Sequence, residues 1–151
     1  MWIKAATQLI MGCKSGNRED SKAMKKILMI MAVLVAGCAM AGSVSKISPD
    51  AAEKWIAKTP DVQIVDVREL DEFSGGHLEG AVLLPWRQPD FDKRALSSLD
   101  PKKPVLVYCR SGRRSTAASE VLSKLGFVEL RSLDGGIVAW QKAGKPVSSA
   151  E

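Results

Sequence analysis

The stretch V-L-V-Y-C-R-S-G-R-R-S-T-A-A-S, residues 105–119, decides the fold of this chain. Its first four residues, 105–108, are apolar and predict a buried β-strand that leads directly to Cys109. Three of the next five residues are arginines: Arg110, Arg113 and Arg114. Small residues from Ser115 onward predict a helix. A cysteine between a strand and a helix N-terminus, beside several cations, is typical of a site that stabilises a thiolate.

The composition predicts one globular domain of ordinary size, with 151 residues that are 46% hydrophobic and 26% charged. The net charge of +5 is concentrated near the start, where residues 1–26 hold six basic and two acidic side chains. The remaining residues hold 16 basic and 15 acidic side chains and are nearly neutral. Because no basic stripe with interleaved aromatic residues is present, the sequence argues against nucleic-acid binding. It also lacks metal-ligand spacing and a phosphate-binding P-loop, so no metal or cofactor is predicted.

Residues 24–41 predict an export signal, because Lys25 and Lys26 precede ten consecutive apolar residues, 27–36. Two processing sites compete. Residues 35–38 resemble a lipobox, in which Cys38 would carry lipid and become the new N-terminus. Residues 39–41, A-M-A, match the ordinary A-x-A site, which is cut after Ala41. An uncleaved membrane anchor is disfavoured, since the strictly apolar run is shorter than the ~20 residues that a span requires.

This signal divides the chain into three expected parts. Residues 1–23 precede the signal and are expected to be an extension foreign to the native protein, with Met24 as the initiator. Residues 24–41 are the signal, and residues 42–151 form the exported domain. The expected location is the bacterial periplasm, either in solution or tethered to a membrane through lipid on Cys38.

The cysteine count leaves one thiol in the exported domain. Cys13 and Cys38 lie at or before the processing sites, so Cys109 is the remaining thiol of the exported domain, which forms no internal disulfide. A free cysteine is unusual in an oxidising compartment. A buried structural cysteine is the alternative, but the three neighbouring arginines favour a nucleophile.

Apolar runs and helical patterns alternate along the rest of the chain. Strands are predicted at residues 62–67, 81–84, 105–108 and 127–130, and helices at residues 49–57, 70–73, 92–99, 115–125 and 137–143. The first of these helices starts with an S-P pattern, in which Ser48 is the cap and Pro49 the first helical residue. This alternation favours an α/β domain with a parallel sheet that is covered on both faces. Sites in such sheets lie at the carboxyl ends of the strands. We therefore expect the residues that follow the strand ends to share one edge: Asp66, Arg68, Trp86, Arg87 and residues 109–114.

Four motifs carry a family resemblance: D-V-R-E at 66–69, E-F-S-G-G-H-L-E-G-A at 72–81, Y-C-R-S-G-R-R-S at 108–115 and L-D-G-G-I-V-A-W at 133–140. In this order they resemble a single-domain rhodanese, over about residues 45–147. The resemblance implies a rhodanese-like three-layer α/β fold, with a central five-stranded parallel sheet and helices on both faces.

The resemblance also implies sulfurtransferase chemistry through a persulfide on Cys109. The partners would be a small-molecule sulfur donor, such as thiosulfate or a persulfide, and an acceptor such as cyanide or a thiol. Related dual-specificity phosphatases of the cell cycle carry a loop one residue longer, whereas residues 109–114 have the sulfur-transferring length. Two alternatives stay open: a non-catalytic module for sulfide sensing or interaction, and an oxyanion reductase or phosphatase. The oligomeric state is open between monomer and dimer.

Roles for individual residues follow from the resemblance and from side-chain chemistry. The loop that surrounds the sulfur is expected to bind substrate: Arg110, Ser111, Gly112, Arg113, Arg114 and Ser115. Arg110 and Arg113 are the strongest donor-binding candidates, whereas Arg114 is expected to pair with an acid. Asp66 and Arg68 are expected to support the loop as a pair.

Other residues beside the predicted site are given smaller roles. Trp86 and Arg87 are candidates for the acceptor pocket, because they follow a strand end. His77 is the only histidine, but it lies in a predicted turn and is expected to be structural. Trp55 and Trp140 lie on apolar helix faces and are expected in the core.

Overall fold

The fold is given by a computed structural model, which describes residues 43–149. The predictions for residues 1–23, for the export signal at residues 24–41 and for Cys38 lie outside this part of the chain. Among residues 43–149, no helix has the length and apolar character needed to cross a membrane.

Five strands form one parallel sheet in the order β1-β5-β4-β2-β3. They are β1 Ser43–Ile47, β2 Gln63–Asp66, β3 Ala81–Leu83, β4 Val105–Tyr108 and β5 Glu129–Leu133. Strand β4 lies at the centre of the sheet, and all four of its residues are buried. The five-stranded parallel sheet that the resemblance implied is therefore confirmed.

Four helices connect the strands and a fifth follows the last strand: α1 Pro49–Lys58, α2 Leu70–Ser74, α3 Phe91–Ser98, α4 Arg113–Lys124 and α5 Gly136–Lys142. They cover both faces, because alternate residues of β4 enter two separate hydrophobic clusters. Val105 and Val107 join the cluster that includes residues of α3 and α4. Leu106 and Tyr108 join the cluster that includes residues of α1 and α5. The three-layer arrangement places Cys109 at the carboxyl end of the central strand.

Strand β1 was not predicted as an individual strand. Its residues 43–47 alternate little in polarity, and only Ile47 is buried. The strand forms because it lies at the edge of the sheet, where Val44 pairs in parallel with Leu130 of β5. Pairing with β5, which is distant in sequence, therefore stabilises a strand that the local sequence does not favour.

Two predicted boundaries were wrong near the cysteine loop. Helix α4 begins at Arg113 rather than Ser115, so Arg113 and Arg114 belong to its first turn. Strand β5 begins at Glu129 rather than Phe127. Phe127 instead completes the end of α4, since its N–H donates to the carbonyl of Leu122 at 3.2 Å. The positive φ of Gly126, 94°, turns the chain there.

Candidate active site at the cysteine loop

Residues 109–114, which we call the cysteine loop, lead from the end of β4 into the first turn of α4 and surround the Cys109 sulfur. Cys109 is buried, with 1% of its surface exposed. Gly112 adopts the left-handed conformation, with φ 94°, and its N–H donates to the Cys109 Sγ at 3.1 Å. A residue with a Cβ adopts this φ only with strain, so glycine permits the curvature that aims the amide at the sulfur.

The N-terminus of α5 fixes the orientation of the loop. The N–H groups of Ile137 and Val138 donate to the carbonyls of Cys109 and Arg110, at 2.9 Å and 3.2 Å. With these carbonyls held outward, the following loop amides are free to face the sulfur. Gly136 makes this approach feasible, because a Cβ on it would lie 2.3 Å from the Cys109 carbonyl oxygen. The sequence contained this signal as the G-G of the motif at 133–140, but its role was not predicted.

The surroundings of the sulfur favour the thiolate. Burial raises the pKa of the Cys109 thiol, but hydrogen bonds outweigh burial, and the resulting pKa lies below the ordinary value. The donors are the backbone N–H groups of Ser115, Ser111 and Gly112, together with the Ser115 hydroxyl. The contribution of Ser111 therefore comes from its backbone. Hydrogen bonds to the charged form are the physical cause of such a shift.

Arg114 is paired with an acid, as expected, and the acid is Glu72 of α2. The guanidinium donates two hydrogen bonds, Nη1 to Oε2 at 2.7 Å and Nη2 to Oε1 at 2.8 Å. This bidentate contact lowers the pKa of the Glu72 carboxyl despite its partial burial. Glu72 opens the motif at 72–81, but its pairing with Arg114 was not predicted from the sequence. Its carboxylate neutralises one of the three loop arginines.

A cavity of about 330 Å³ opens beside the loop. Its lining consists of Glu72, Arg87, Arg110, Ser111, Arg113 and Arg114. Arg87, Arg110 and Arg113 are exposed, and within residues 43–149 none of them has an ion-pair partner. With the Arg114–Glu72 pair neutral, this cavity carries three uncompensated positive charges. Such a cavity favours a small dianion over a neutral or cationic ligand.

Asp66 and Arg68 form a buried ion pair at the end of β2. The Arg68 Nη2 donates to Asp66 Oδ2 at 2.6 Å and to the Gly76 carbonyl at 2.7 Å. The guanidinium also lies over the Tyr108 ring, 5.7 Å from its centroid. These contacts connect the end of β2 to the residue before Cys109. The two side chains therefore pair, and their support of the loop stays a prediction.

The structure separates Trp86 from Arg87. Arg87 lines the cationic cavity, whereas the Trp86 ring packs edge-on against Phe91, with ring centroids 5.0 Å apart. Trp86 thereby joins the hydrophobic core beside β4. Of these two residues, Arg87 alone lines the cationic cavity, and the role of residues 86 and 87 in an acceptor pocket stays a prediction.

The rings of the other three residues considered from the sequence contact other parts of the fold; these residues are His77, Trp140 and Trp55. The His77 Nδ1 lies 3.0 Å from the Phe73 carbonyl, and its ring stacks on Phe73 at 3.8 Å. Trp140 is buried, and its indole N–H donates to the Pro146 carbonyl at 2.8 Å. Trp55 is only partly buried, and Arg131 covers its ring at 4.2 Å.

Comparison with known proteins places this site in a family. The family model of the rhodanese-like domain matches residues 48–143. A sulfurtransferase of Allochromatium vinosum is 32% identical over 108 residues, which cover 72% of this chain and 98% of that protein. The thiosulfate sulfurtransferase GlpE of Coxiella burnetii is 37% identical over 100 residues, which cover 65% of this chain and 89% of that protein.

A solved structure agrees with these relatives. The crystal structure of a rhodanese-like domain protein from Staphylococcus aureus matches with a TM-score of 0.60 and 27% identity, and the match covers 71% of this chain and 99% of that one. The chain belongs to the rhodanese-like domain family. Its relatives include sulfurtransferases, and the cysteine loop occupies the carboxyl edge of the sheet.

Proposed function

We propose that this protein is a sulfurtransferase that moves sulfane sulfur from an anionic donor to a thiophilic acceptor through a persulfide on Cys109. The observation that carries the proposal is the set of hydrogen bonds to the buried sulfur, which lowers the pKa of the thiol. A thiolate, rather than a thiol, is the nucleophile toward a sulfur–sulfur bond. The sulfurtransferases among the relatives support the same chemistry.

The first half-reaction is a displacement at sulfur. The Cys109 thiolate attacks the outer sulfur of thiosulfate, a new S–S bond forms, and the donor S–S bond breaks with its electron pair leaving on sulfite. The product is a cysteine persulfide anion, and charge is conserved. The inward-facing amides of Ser111, Gly112 and Ser115 would then hold the terminal sulfur by the same kind of hydrogen bonds.

The second half-reaction regenerates the enzyme. Cyanide or a thiolate attacks the terminal sulfur, the persulfide S–S bond breaks, and its electron pair returns to the Cys109 sulfur. Thiocyanate or a new persulfide leaves. Neither step requires a general base once the thiolate is present. This agrees with the position of His77, whose Nδ1 hydrogen-bonds to the Phe73 carbonyl.

The cationic cavity supports a dianionic donor in the first half-reaction. Arg110 and Arg113 flank the loop, and Arg87 reaches the same cavity from the segment after β3. A guanidinium matches the oxygens of a sulfonate-like group in a bidentate manner. Arg114 is already engaged by Glu72, so its contribution to donor binding is the smallest of the four arginines.

Steady-state turnover of thiosulfate and cyanide tests the proposal. We expect thiocyanate formation by the wild type and a loss of about 10³-fold or more in Cys109→Ser, since no other group replaces the sulfur nucleophile. Lys93→Gln is the control, because it changes an exposed side chain of α3 outside the cavity, and it should retain activity. Turnover by Cys109→Ser at the wild-type rate would overturn the mechanism.

Two further measurements separate the alternative functions. Intact mass after thiosulfate treatment should increase by one sulfur atom in the wild type alone. A persulfide that forms without any turnover would instead favour a sensing or interaction module. Hydrolysis of an aryl phosphate in place of sulfur transfer would favour a phosphatase.

We also propose that the protein acts after export, on the strength of Lys25, Lys26 and the apolar run at residues 27–36. The intact mass of the protein recovered from cells tests this. A mature N-terminus at Gly42 or a lipid-modified Cys38 would support export. A chain that retains residues 24–41 without modification would argue against it.

A further inference from the structure

One acid, Glu72, lies among the cations of the cavity beside the cysteine loop. Within residues 43–149 the lining of this cavity consists of Glu72, Ser111 and four arginines. The Glu72 carboxylate faces the guanidinium of Arg114 across two hydrogen bonds of 2.7 Å and 2.8 Å. Both side chains are partly buried, with exposures of 26% for Glu72 and 19% for Arg114. Partial burial reduces the screening of this pair by solvent and salt.

The Glu72 carboxylate is also held from its own side of the cavity. Its Oε2 accepts the backbone N–H of Glu69, the residue that caps α2, at 3.3 Å. N–H groups from two parts of the fold therefore fix the carboxylate in one position. The Arg114 guanidinium lowers the pKa of the Glu72 carboxyl, so the acid is ionised at neutral pH. The pair is a fixed part of the cavity wall.

The other three arginines of the cavity differ from Arg114. Arg87, Arg110 and Arg113 are exposed, and none of them has an ion-pair partner within the described part of the chain. A guanidinium binds a carboxylate and a sulfate-like anion through the same fork of N–H groups. Glu72 therefore competes with any anion for the fork of Arg114, and its negative charge offsets that of the guanidinium.

We propose that Glu72 is a specificity-determining residue that limits the affinity of the cavity for small dianions: by binding Arg114 in a bidentate pair, it keeps one of four guanidinium groups from the anion. The consequence for turnover rests on the proposed function. The donor thiosulfate and the leaving sulfite both carry two negative charges. A cavity that bound the donor very tightly would also retain the product, which lowers KM without raising kcat. Three free cations therefore favour release of the leaving anion.

Protection of Cys109 from iodoacetamide by inorganic sulfate tests the proposal without sulfur transfer. Iodoacetamide is neutral and reacts with the thiolate, and each rate is divided by that of the same variant without sulfate. Glu72→Gln keeps an oxygen for the Glu69 N–H but removes the charge that holds Arg114. We expect the half-protecting sulfate concentration to fall about three- to tenfold in this variant. The gain should shrink as potassium chloride is added. A purely structural role of Glu72 would weaken sulfate binding instead.

Asp71→Asn is the matched control. Asp71 precedes Glu72 on α2, is exposed and does not line this cavity. Its replacement removes the same unit of negative charge without releasing Arg114. The half-protecting sulfate concentration should therefore stay within about twofold of the wild-type value. An equal fall in Asp71→Asn and Glu72→Gln would attribute the gain to net charge and overturn the proposal, as would an unchanged value in Glu72→Gln.

The double variant Glu72→Gln/Arg114→Gln shows whether the gain depends on Arg114. It leaves Arg87, Arg110 and Arg113 as the cations of the cavity, so the half-protecting concentration should return to about the wild-type value. A gain that persists in the double variant would overturn the proposal, and so would sulfate that protects none of the variants.

The outcomes distinguish this proposal from the proposed function. If the wild type transfers sulfur, Glu72→Gln should lower the KM for thiosulfate and strengthen inhibition by sulfite. If the wild type does not transfer sulfur, the protection measurements still decide whether Glu72 limits the binding of dianions.

Discussion

Four arginines from different parts of the chain meet at the cysteine loop, but they do not act alike. Arg114 is held by Glu72 through two hydrogen bonds, whereas Arg87 is exposed and lines the cavity without an ion-pair partner among residues 43–149. An exposed charge attracts a small anion weakly and in a salt-dependent way. Arg87 should therefore influence donor binding rather than the chemical step.

We predict that Arg87→Gln raises the KM for thiosulfate about two- to fivefold and leaves kcat nearly unchanged. The physical reason is the loss of one long-range attraction for a dianion, so the effect should shrink as salt is added. Steady-state kinetics at low and high salt measure it. Lys93→Gln removes an exposed cation from α3 outside the cavity and should have no effect. A large fall in kcat for Arg87→Gln would place Arg87 in the chemistry instead.

The residue-level site was predictable where its members are neighbours in sequence or, like Arg87, directly follow a strand end. Cys109 and its arginines stand in one stretch, and their types alone indicate a thiolate. Glu72 lies 42 residues from Arg114, and Ser132 lies 17 residues from Ser115. The sequence around Glu72 and Ser132 does not indicate which residues they contact. Their contacts depend on the packing of α2 and β5 against the loop.

At the scale of elements, α5 holds the cysteine loop by its first turn. The N–H groups of Ile137 and Val138 donate hydrogen bonds to the carbonyls of Cys109 and Arg110. Such close approach of two backbones requires a residue without a side chain at the start of the helix. Gly136 fills this position, with φ 61° and its hydrogen in place of a Cβ that would meet the loop.

We predict that Gly136→Ala destabilises the protein by about 2 kcal/mol or more and lowers turnover, because the new methyl group displaces the loop. Urea unfolding and steady-state kinetics measure the two effects. Gly144→Ala is the matched control: Gly144 has a similar φ of 71°, but a Cβ there would meet nothing within 4 Å. It should show only the conformational cost, about 1 kcal/mol, with normal turnover. Equal behaviour of the two variants would contradict the docking role of Gly136.

Apart from strand β1, the order and type of the elements followed from the sequence, but some boundaries did not. The apolar strand β4 and the capped helix α1 carry strong local signals, and the Ser48 hydroxyl accepts from the Ala51 N–H at 3.4 Å as the S-P pattern predicts. Strand β1 has no such signal and depends on its pairing with β5. The apolar residues Phe127 and Val128 predict a strand. Phe127 instead hydrogen-bonds to the end of α4, and the chain turns at Gly126, so the strand begins later.

For the molecule as a whole, Asp66–Arg68 is the ion pair among residues 43–149 in which both side chains are buried. Arg68 is 5% exposed and Asp66 is 0% exposed, and Arg68 also binds the Gly76 carbonyl. Removal of one partner leaves a buried charge without compensation. We predict that Arg68→Met destabilises the fold by about 3–5 kcal/mol in urea unfolding.

The exposed pair of Lys103 and Asp61 provides the comparison for this prediction. Its atoms lie 3.9 Å apart, with side-chain exposures of 44% and 73%. Lys103→Met should therefore change stability by about 1 kcal/mol or less. The double variant Asp66→Asn/Arg68→Met should lose less stability than the sum of its single variants. Each single variant leaves one buried charge unpaired, whereas the double variant leaves none. A strictly additive loss would show that the two side chains act independently.

The lowered pKa of the Cys109 thiol links the active site to the stability of the whole fold. An acid whose pKa is lower in the folded state stabilises that state fully above the ordinary pKa, here about 8.5, and the contribution disappears as pH falls through the folded pKa. Serine does not titrate, so Cys109→Ser lacks this contribution. We predict that the stability of the wild type relative to Cys109→Ser rises with pH up to about pH 8.5 and is level above. Urea unfolding of both proteins under a reductant measures the difference. A difference that stays constant with pH would mean that the fold does not lower the thiol pKa, and one that falls with rising pH would mean that burial dominates over the loop amides.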